Sequence, residues 1–344
     1  MNILLTSAGR RAYIVDYFKA CKGIGKVHAS NSTFTIALKR ADAYFVTPLI
    51  YNDSYIPSII DYCKRNDITV VLSLFDIDLL VLAKNRSAFK ENNIQLILAP
   101  TSFVEICNDK WKTYNFIKEL GLLSPKTYLY IEDVKKAIVN GEIKYPVIMK
   151  PRWGMGSMGI YRVENENELI FFSEKCKQDI LNSYLKYESS MTADEVIIYQ
   201  EIINGEEYGL DIINTLDGEY VATFAKQKIA MRSGETDLGR TANPIPFESV
   251  CKVISTHSRH EGILSVDCFY NEKGIFIIEM NCRISGHYPL SHLAGVDYPQ
   301  LLIDWLNGKS TNPELLKFEI GLFIIKDLIP AVLYKKSNEL SGDI

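Results

Sequence analysis

Two hydrophobic rhythms alternate along the N-terminal third of the chain. Residues 2–6 are a short apolar run and 68–74 a β-branched one; with 26–31, 43–47 and 95–99 they predict five strands. Between them, Ile14, Phe18 and Cys21 recur at helical spacing and predict a helix over 10–22. A second helix is expected over 55–66. A third is expected over 78–91, with Leu79, Leu82, Ala83 and Phe89 on its apolar face. Strand–helix alternation of this kind predicts a parallel sheet with helices on both faces.

The pattern then changes. Residues 108–120 predict a helix that opens on Asp109 and Lys110 and is ended by Gly121. Pro125 starts an extended segment. Residues 145–150 read as a strand, 153–159 as a loop, 160–163 as a strand and 165–184 as largely helical. From 196 to 280 the pattern is mostly strands, at 196–202, 208–215, 220–229, 264–270 and 274–280, with turns at Asp217-Gly218 and Lys273-Gly274. Residues 298–306 predict a helix near the end. No internal repeat is evident. The expectation is an α/β N-terminal domain followed by an α+β region.

Composition narrows the function classes. At 344 residues and 47% apolar, the chain has enough core for two or three domains. A net charge of −4 gives no electrostatic case for nucleic acid. The N-terminus lacks a basic segment followed by a long apolar stretch, so no signal peptide is expected. The apolar stretch 320–334 contains Lys326, Asp327 and Pro330 and is too interrupted to span a bilayer. Seven cysteines without CxxC spacing predict free thiols in a reducing cytoplasm.

Three segments carry candidate chemistry. In YPVIMKPRWGMGSMG, a strand ends in Lys150 and Gly154, Gly156 and Gly159 follow, with Ser157 among them. Glycines let backbone N–H groups approach phosphate oxygens, and Lys150 would add a point charge. The pattern is neither a Walker A loop nor a dinucleotide fingerprint. The competing reading is a flexible hairpin loop beside a surface lysine. In VDCFYNEKGIFIIEMNCRISG, Glu279 and Asn281 stand two residues apart on one strand face, and Asp267 lies on the neighbouring strand. Hard oxygen ligands so placed suit magnesium bound with phosphates. Arg283, on the same side, would neutralise a phosphate. The competing reading is a solvated strand end. In YQEIINGEEYGLD, a strand runs into a turn at Asn204-Gly205 and returns as a strand. Glu201 would accept from an adenine amino group and Glu207 would hold ribose hydroxyls. The competing reading is an ordinary hairpin with surface glutamates.

These motifs, with LLTSAGRRAYIVDYFK, FDIDLLVLA, NDKWKTYNFIKELGLLSPKTY and IIEMNCRISGHYPLSHLAG, resemble the ATP-grasp superfamily. The likeness covers nearly the whole chain and is greatest to the branch related to the large subunit of carbamoyl-phosphate synthetase. It implies a Rossmann-like pre-ATP-grasp domain over 1–105, a small ATP-grasp subdomain with the glycine loop over 106–195, and a large subdomain with the metal site over 196–344. It implies that Lys110 and Lys150 contact ATP phosphates, with the loop 154–159 folding over them. Glu201 and the backbone of Ile203 would read adenine, and Glu207 the ribose. Asp267, Glu279 and Asn281 would hold one or two magnesium ions, with manganese as a substitute. Arg283 would meet the γ-phosphate or an acyl phosphate, and Arg232 matches an arginine near the reacting phosphate.

The implied reaction joins a small-molecule carboxylate, activated as an acyl phosphate, to an amine and releases ADP and phosphate. Two alternatives stand beside it. One is phosphorylation of bicarbonate or carbamate, and the other is ATP binding without turnover. A homodimer is compatible with each. The family's proline is replaced by Cys282, and His287 stands where relatives carry more glycine, either touching substrate or on the surface. The turn 7–11 and the segment 232–240, with Arg10, Arg11 and Arg240, are candidates for an anionic substrate.

Overall fold

The five N-terminal strands form one parallel sheet. They are β1 (Asn2–Thr6), β2 (Val27–Asn31), β3 (Ala43–Val46), β4 (Ile68–Ser73) and β5 (Gln95–Leu96), in the order β3-β2-β1-β4-β5. The structure is a computed structural model that describes residues 1–154, 159–183, 185–189 and 195–333. Alternate residues of β1 serve two cores. Ile3 and Leu5 pack with Ile14 and Phe18 on one face, and Leu4 packs with Ile59 and Phe89 on the other. A sheet buried on both faces explains why its strands read as apolar runs.

The strand order reverses between β1 and β4. Their carboxyl ends diverge there and leave a crevice, the usual ligand position in such sheets. Asp78 fastens this edge. Its carboxylate accepts from the hydroxyls of Thr6, Ser7, Tyr55 and Ser73 at 2.5 to 3.1 Å. The helix expected over 78–91 is two helices, Asp76–Lys84 and Arg86–Glu91, parted at Asn85. The Asn85 side chain bonds the Val81 carbonyl and ends the first of them.

Two antiparallel sheets follow. The smaller consists of β6 (Thr127–Tyr128), β7 (Val147–Pro151), β8 (Tyr161–Val163) and β9 (Ile197–Glu201), in the order β6-β9-β7-β8. Helices Ile131–Val139 and Glu166–Leu181 pack on it through Val134, Leu169 and Cys176. The larger consists of β10 (Glu206–Asn214), β11 (Tyr220–Arg232), β12 (Glu235–Ala242), β13 (Gly262–Asn271), β14 (Gly274–Asn281) and β15 (Phe323–Ile325), in the order β14-β13-β10-β11-β12-β15.

Three corrections arise here. Strand β12 was not expected; it follows β11 through Ser233 and Gly234, whose φ angles of 50° and 77° make a tight hairpin turn. The mostly-strand expectation for 196–280 is broken by helix Ile245–Ser258. Its buried Phe247, Cys251, Ile254 and Ser258 follow helical spacing, although its valines and isoleucines favour strands. Finally, β9 and β10 do not form a hairpin. β9 pairs with β6 and β7, whereas β10 pairs with β11 and β13. The residues around Asn204-Gly205 therefore cross from one sheet to the other. Among the described residues, no helix is long and apolar enough to cross a membrane.

Candidate active site

The three sheets meet around a cavity of about 470 Å³. The N-terminal sheet contributes the turn 7–11 after β1 and Leu74 and Phe75 after β4. The four-stranded sheet contributes Lys150, Pro151, Trp153 and Gly154. The six-stranded sheet contributes Glu207, Lys228, Asp267, Glu279, Asn281 and Arg283.

Lys150 lies on β7, flanked by β8 and β9, and is only 6% exposed. It is not the surface lysine of the competing reading. Its amine has no hydrogen-bond or ion-pair partner among the described residues. Burial and the neighbouring Lys110 push its pKa down to about 8, against the pull of Glu279 and Asp267. Lys110 is the first residue of helix Lys110–Glu119. Asp109 caps that helix by accepting from the backbone N–H groups of Trp111 and Lys112. The same carboxylate takes both arms of the Arg152 guanidinium, at 2.8 and 2.7 Å. This double use of Asp109 locks the helix start to the end of β7. It brings Lys110 to the glycine loop, where its amine donates to the Gly154 carbonyl. The loop joins β7 to β8 as a hairpin connection, with Gly154 at φ 104°. Gly156 and Ser157 lie outside the described residues.

On the other wall, Asp267 and Glu279 are cross-strand partners on β13 and β14, and Asn281 faces Ser265. A register shift beside Asp267 leaves Ile278 without a partner and restores the pairing at Glu279. The side chains of Glu279 and Asn281 have no partner among the described residues. Asp267 differs. Its Oδ1 is 2.8 Å from the Lys228 amine, which also lies 2.9 Å from Glu207. The approach to Asp267 is an ion pair without hydrogen-bond alignment, since that oxygen has no hydrogen-bond partner. Burial opposes ionisation of Asp267, but Lys228 and His287 outweigh it and hold the carboxyl well below the usual range. Among the described residues, no group of three or more His, Cys, Asp or Glu is placed to hold a metal. The two uncommitted oxygen donors, Glu279 and Asn281, fit magnesium that takes its remaining ligands from phosphates and water.

Arg283 reaches the cavity from just beyond β14. Its guanidinium grips Asp76, at the start of the helix after β4, with contacts of 2.8 and 2.5 Å. Arg11 donates to the carbonyls of Leu74 and Ile284, both at 2.8 Å, and so ties the same two sheets. Arg232 is not brought in. It stands 42% exposed at the end of β11, held by Asp237 and the Lys326 carbonyl, outside the cavity lining. Arg240 is likewise engaged elsewhere, on Gln227 and the Phe323 ring.

Glu201 and Ile203 sit on the crossing between the sheets, also outside the lining of this cavity. The Glu201 carboxylate accepts from the backbone N–H of Lys126 at 2.8 Å. The N–H and C=O of Ile203 have no partner among the described residues. His287 is buried, 4% exposed, and its Nε2 is 2.7 Å from the Ser265 hydroxyl. Burial and Lys226 hold its pKa down to about 4, so the ring is neutral at pH 7. Gly209 makes room for it: a Cβ there would lie 2.6 Å from the ring. Cys282 rests its Sγ 3.3 Å from that of Cys107. Lys228, Asp76, Asp109 and Arg152 were missed as site residues. Asp76 and Asp109 lie inside motifs that carried the resemblance; Lys228 had no such signal.

A family model described as an ATP-grasp domain matches residues 107–287, and one described as a PylC-like N-terminal domain matches residues 3–97. A carbamoyl-phosphate synthase of Methanobrevibacter smithii is 24% identical over 340 residues, covering 96% of this chain and 84% of that protein. The chain also matches carbamoyl phosphate synthase large chains, of whose length it spans about a fifth to a quarter, from 20% to 27%. The biotin carboxylase domain of a Hydrogenobacter thermophilus 2-oxoglutarate carboxylase, solved with MgADP, ADP and bicarbonate, superposes with a TM-score of 0.72 at 20% identity. That match covers 92% of this chain and 72% of that one. An L-amino acid ligase from Bacillus licheniformis superposes with a TM-score of 0.65 at 18% identity, covering 88% and 73%.

Proposed function

Because the chain belongs to the ATP-grasp family, we propose that it is an ADP-forming ligase that activates a small-molecule carboxylate as an acyl phosphate and joins it to an amine. The observation that carries this reading is the convergence in one cavity of Lys150, Glu279 and Asn281, three buried or half-buried polar side chains without partners among the described residues.

In this reading Lys110 and Lys150 hold the phosphates of ATP from the side of the glycine loop, residues 154–159. Glu201 and the backbone groups of Ile203 meet the adenine edge, and Glu207 the ribose. Glu279 and Asn281 would hold magnesium, with Asp267 beside them; magnesium supplies charge neutralisation to the transferring phosphoryl group. Arg283, oriented by Asp76, stands where the acyl phosphate would form. The acid lies against the turn 7–11, where Arg10 offers an exposed guanidinium to an anionic group. The carboxylate attacks the γ-phosphorus, ADP leaves, and the amine then displaces phosphate from the acyl carbon. The protein's share is positioning and electrostatic stabilisation, with no protein nucleophile required.

A second reading, phosphorylation of bicarbonate followed by attack of ammonia, is favoured by the carbamoyl-phosphate synthase that matches this chain over 96% of its length. One assay separates them. The purified chain is incubated with ATP, magnesium and pools of carboxylates and amines, and ADP release is followed. Stimulation by an acid–amine pair supports the ligase. Stimulation by bicarbonate with ammonia supports the second reading. ATP binding without stimulated release by either would refute both.

A further inference from the structure

We infer that Lys228 is a resident cation of the metal centre, so that the site takes one divalent ion rather than two. The inference rests on the nucleotide-binding reading above. Three carboxylates line this part of the cavity: Glu207, Asp267 and Glu279. The Lys228 amine lies between the first two, 2.9 Å from Glu207 and 2.8 Å from Asp267, on a side chain only 4% exposed. A buried ammonium between two carboxylates neutralises both, and it lies against Oδ1 of Asp267. A divalent ion on Asp267 would lie against that ammonium, and like charges at such range repel strongly in a buried site.

Inward of this pair, Lys228 meets no uncommitted carboxylate among the described residues. Asp211, the next carboxylate inward, is already held by Lys226 at 2.5 Å and by the Ser291 hydroxyl at 2.6 Å. The neutral ring of His287 stands between Asp211 and Asp267, 3.4 Å from one and 3.5 Å from the other. Behind Asp267 the charge of Asp211 is therefore already matched by a buried cation. Glu279 and Asn281, by contrast, have no partner among the described residues. The cavity divides into a half neutralised by Lys228 and a half that presents oxygen donors to one ion.

The test counts metal directly. The full chain is titrated with Mn2+ in the presence of the non-hydrolysable nucleotide AMP-PNP. Free Mn2+ is read by paramagnetic resonance, and bound nucleotide by equilibrium dialysis. The expected count is one Mn2+ per bound nucleotide in the wild type and in Lys228→Arg, rising to two in Lys228→Gln. Two Mn2+ per bound nucleotide in the wild type would overturn the inference while leaving the nucleotide reading standing, and this count decides the matter even if Lys228→Gln does not fold. A folded Lys228→Gln that stays at one would also overturn it. If the wild type retains no AMP-PNP in dialysis, the nucleotide reading fails and the inference fails with it.

Discussion

Lys150→Met should make the ligand-free protein more stable and a poorer nucleotide binder. Lys150 is buried with no partner among the described residues, and its pKa falls from the ordinary 10.5 to about 8. At about 1.36 kcal/mol per pH unit, that drop means holding the proton costs the folded chain about 3 kcal/mol at pH 7. Methionine has similar reach and no charge, and its introduction leaves no hydrogen-bond partner stranded. That drop is a net value that already includes the favourable pull of Glu279 and Asp267 on the ammonium. The expected net stabilisation in urea at pH 7 is therefore about 1–3 kcal/mol.

The sign of the pH dependence follows from the same shift. Between pH 8 and 10.5 the unfolded chain binds more protons at this lysine than the folded chain does. Ligand-free stability from this group therefore rises with pH across that window, and Lys150→Met should lose the rise. Nucleotide binding runs the other way. A charge-assisted contact to phosphate is worth about 1.5–3 kcal/mol, so the variant should bind ADP roughly 10- to 150-fold more weakly at pH 7. Above pH 8 the wild type must take up a proton to bind, and its ADP affinity should fall by up to about tenfold per pH unit. The variant should show no such fall. Urea unfolding at pH 7 and pH 9.5, with calorimetric ADP titrations at the same values, measures each part. A variant that is less stable at pH 7 and binds ADP as the wild type does would refute the reasoning.

Three further outcomes are expected. Glu279→Gln should abolish ADP release while circular dichroism stays unchanged; normal turnover would remove Glu279 from the metal site. Gly209→Ala would set a Cβ 2.6 Å from the His287 ring, and should cost about 1–3 kcal/mol in urea unfolding, recovered in part by adding His287→Ala; a loss that His287→Ala does not relieve would refute that contact as the cause. Arg232→Ala removes an exposed ion pair worth about 0–1 kcal/mol and should alter kcat less than tenfold; a loss beyond a hundredfold would return Arg232 to the reacting phosphate.

The N-terminal sheet was legible because each of its strands announces itself locally. Apolar runs and helical spacing follow one another, and each strand after β1 except β4 pairs with the one before it in sequence. The β9–β10 segment was not legible in the same way. Its turn signal at Asn204-Gly205 is real, but whether the chain returns to the same sheet depends on β7 and β13, which lie far from it in sequence. The same limit governs the site. Lys150, Glu279 and Asn281 stand out because polar residues interrupt apolar strands. Lys228 and Asp76 acquire their roles from distant partners: Asp76 meets Arg283 across 207 residues. Arg232 shows the converse. It satisfies a motif, yet its neighbours Asp237 and Lys326 draw it away from the cavity.

The pairing of buried charges separates structural groups from ligand-binding ones. Arg283 is paired with Asp76, Arg152 with Asp109 and Glu195, Lys226 with Asp211, and Lys228 with Glu207 and Asp267. Each pair meets the cost of desolvation within the protein, and most of them join different strands or sheets. Of the polar groups that line the cavity, Lys150, Glu279 and Asn281 differ from these pairs in having no partner among the described residues. They come from two separate sheets, and none of them has a hydrogen-bond or ion-pair partner among the described residues. One cation and two oxygen donors facing a common cavity are complementary to an anion that carries its own divalent ion. A polyphosphate with magnesium satisfies all three at once, whereas a bare anion would satisfy Lys150 and repel Glu279. The unpaired remainder thus selects a metal-bound phosphate over a simple anion, and it does so without reference to the glycine loop.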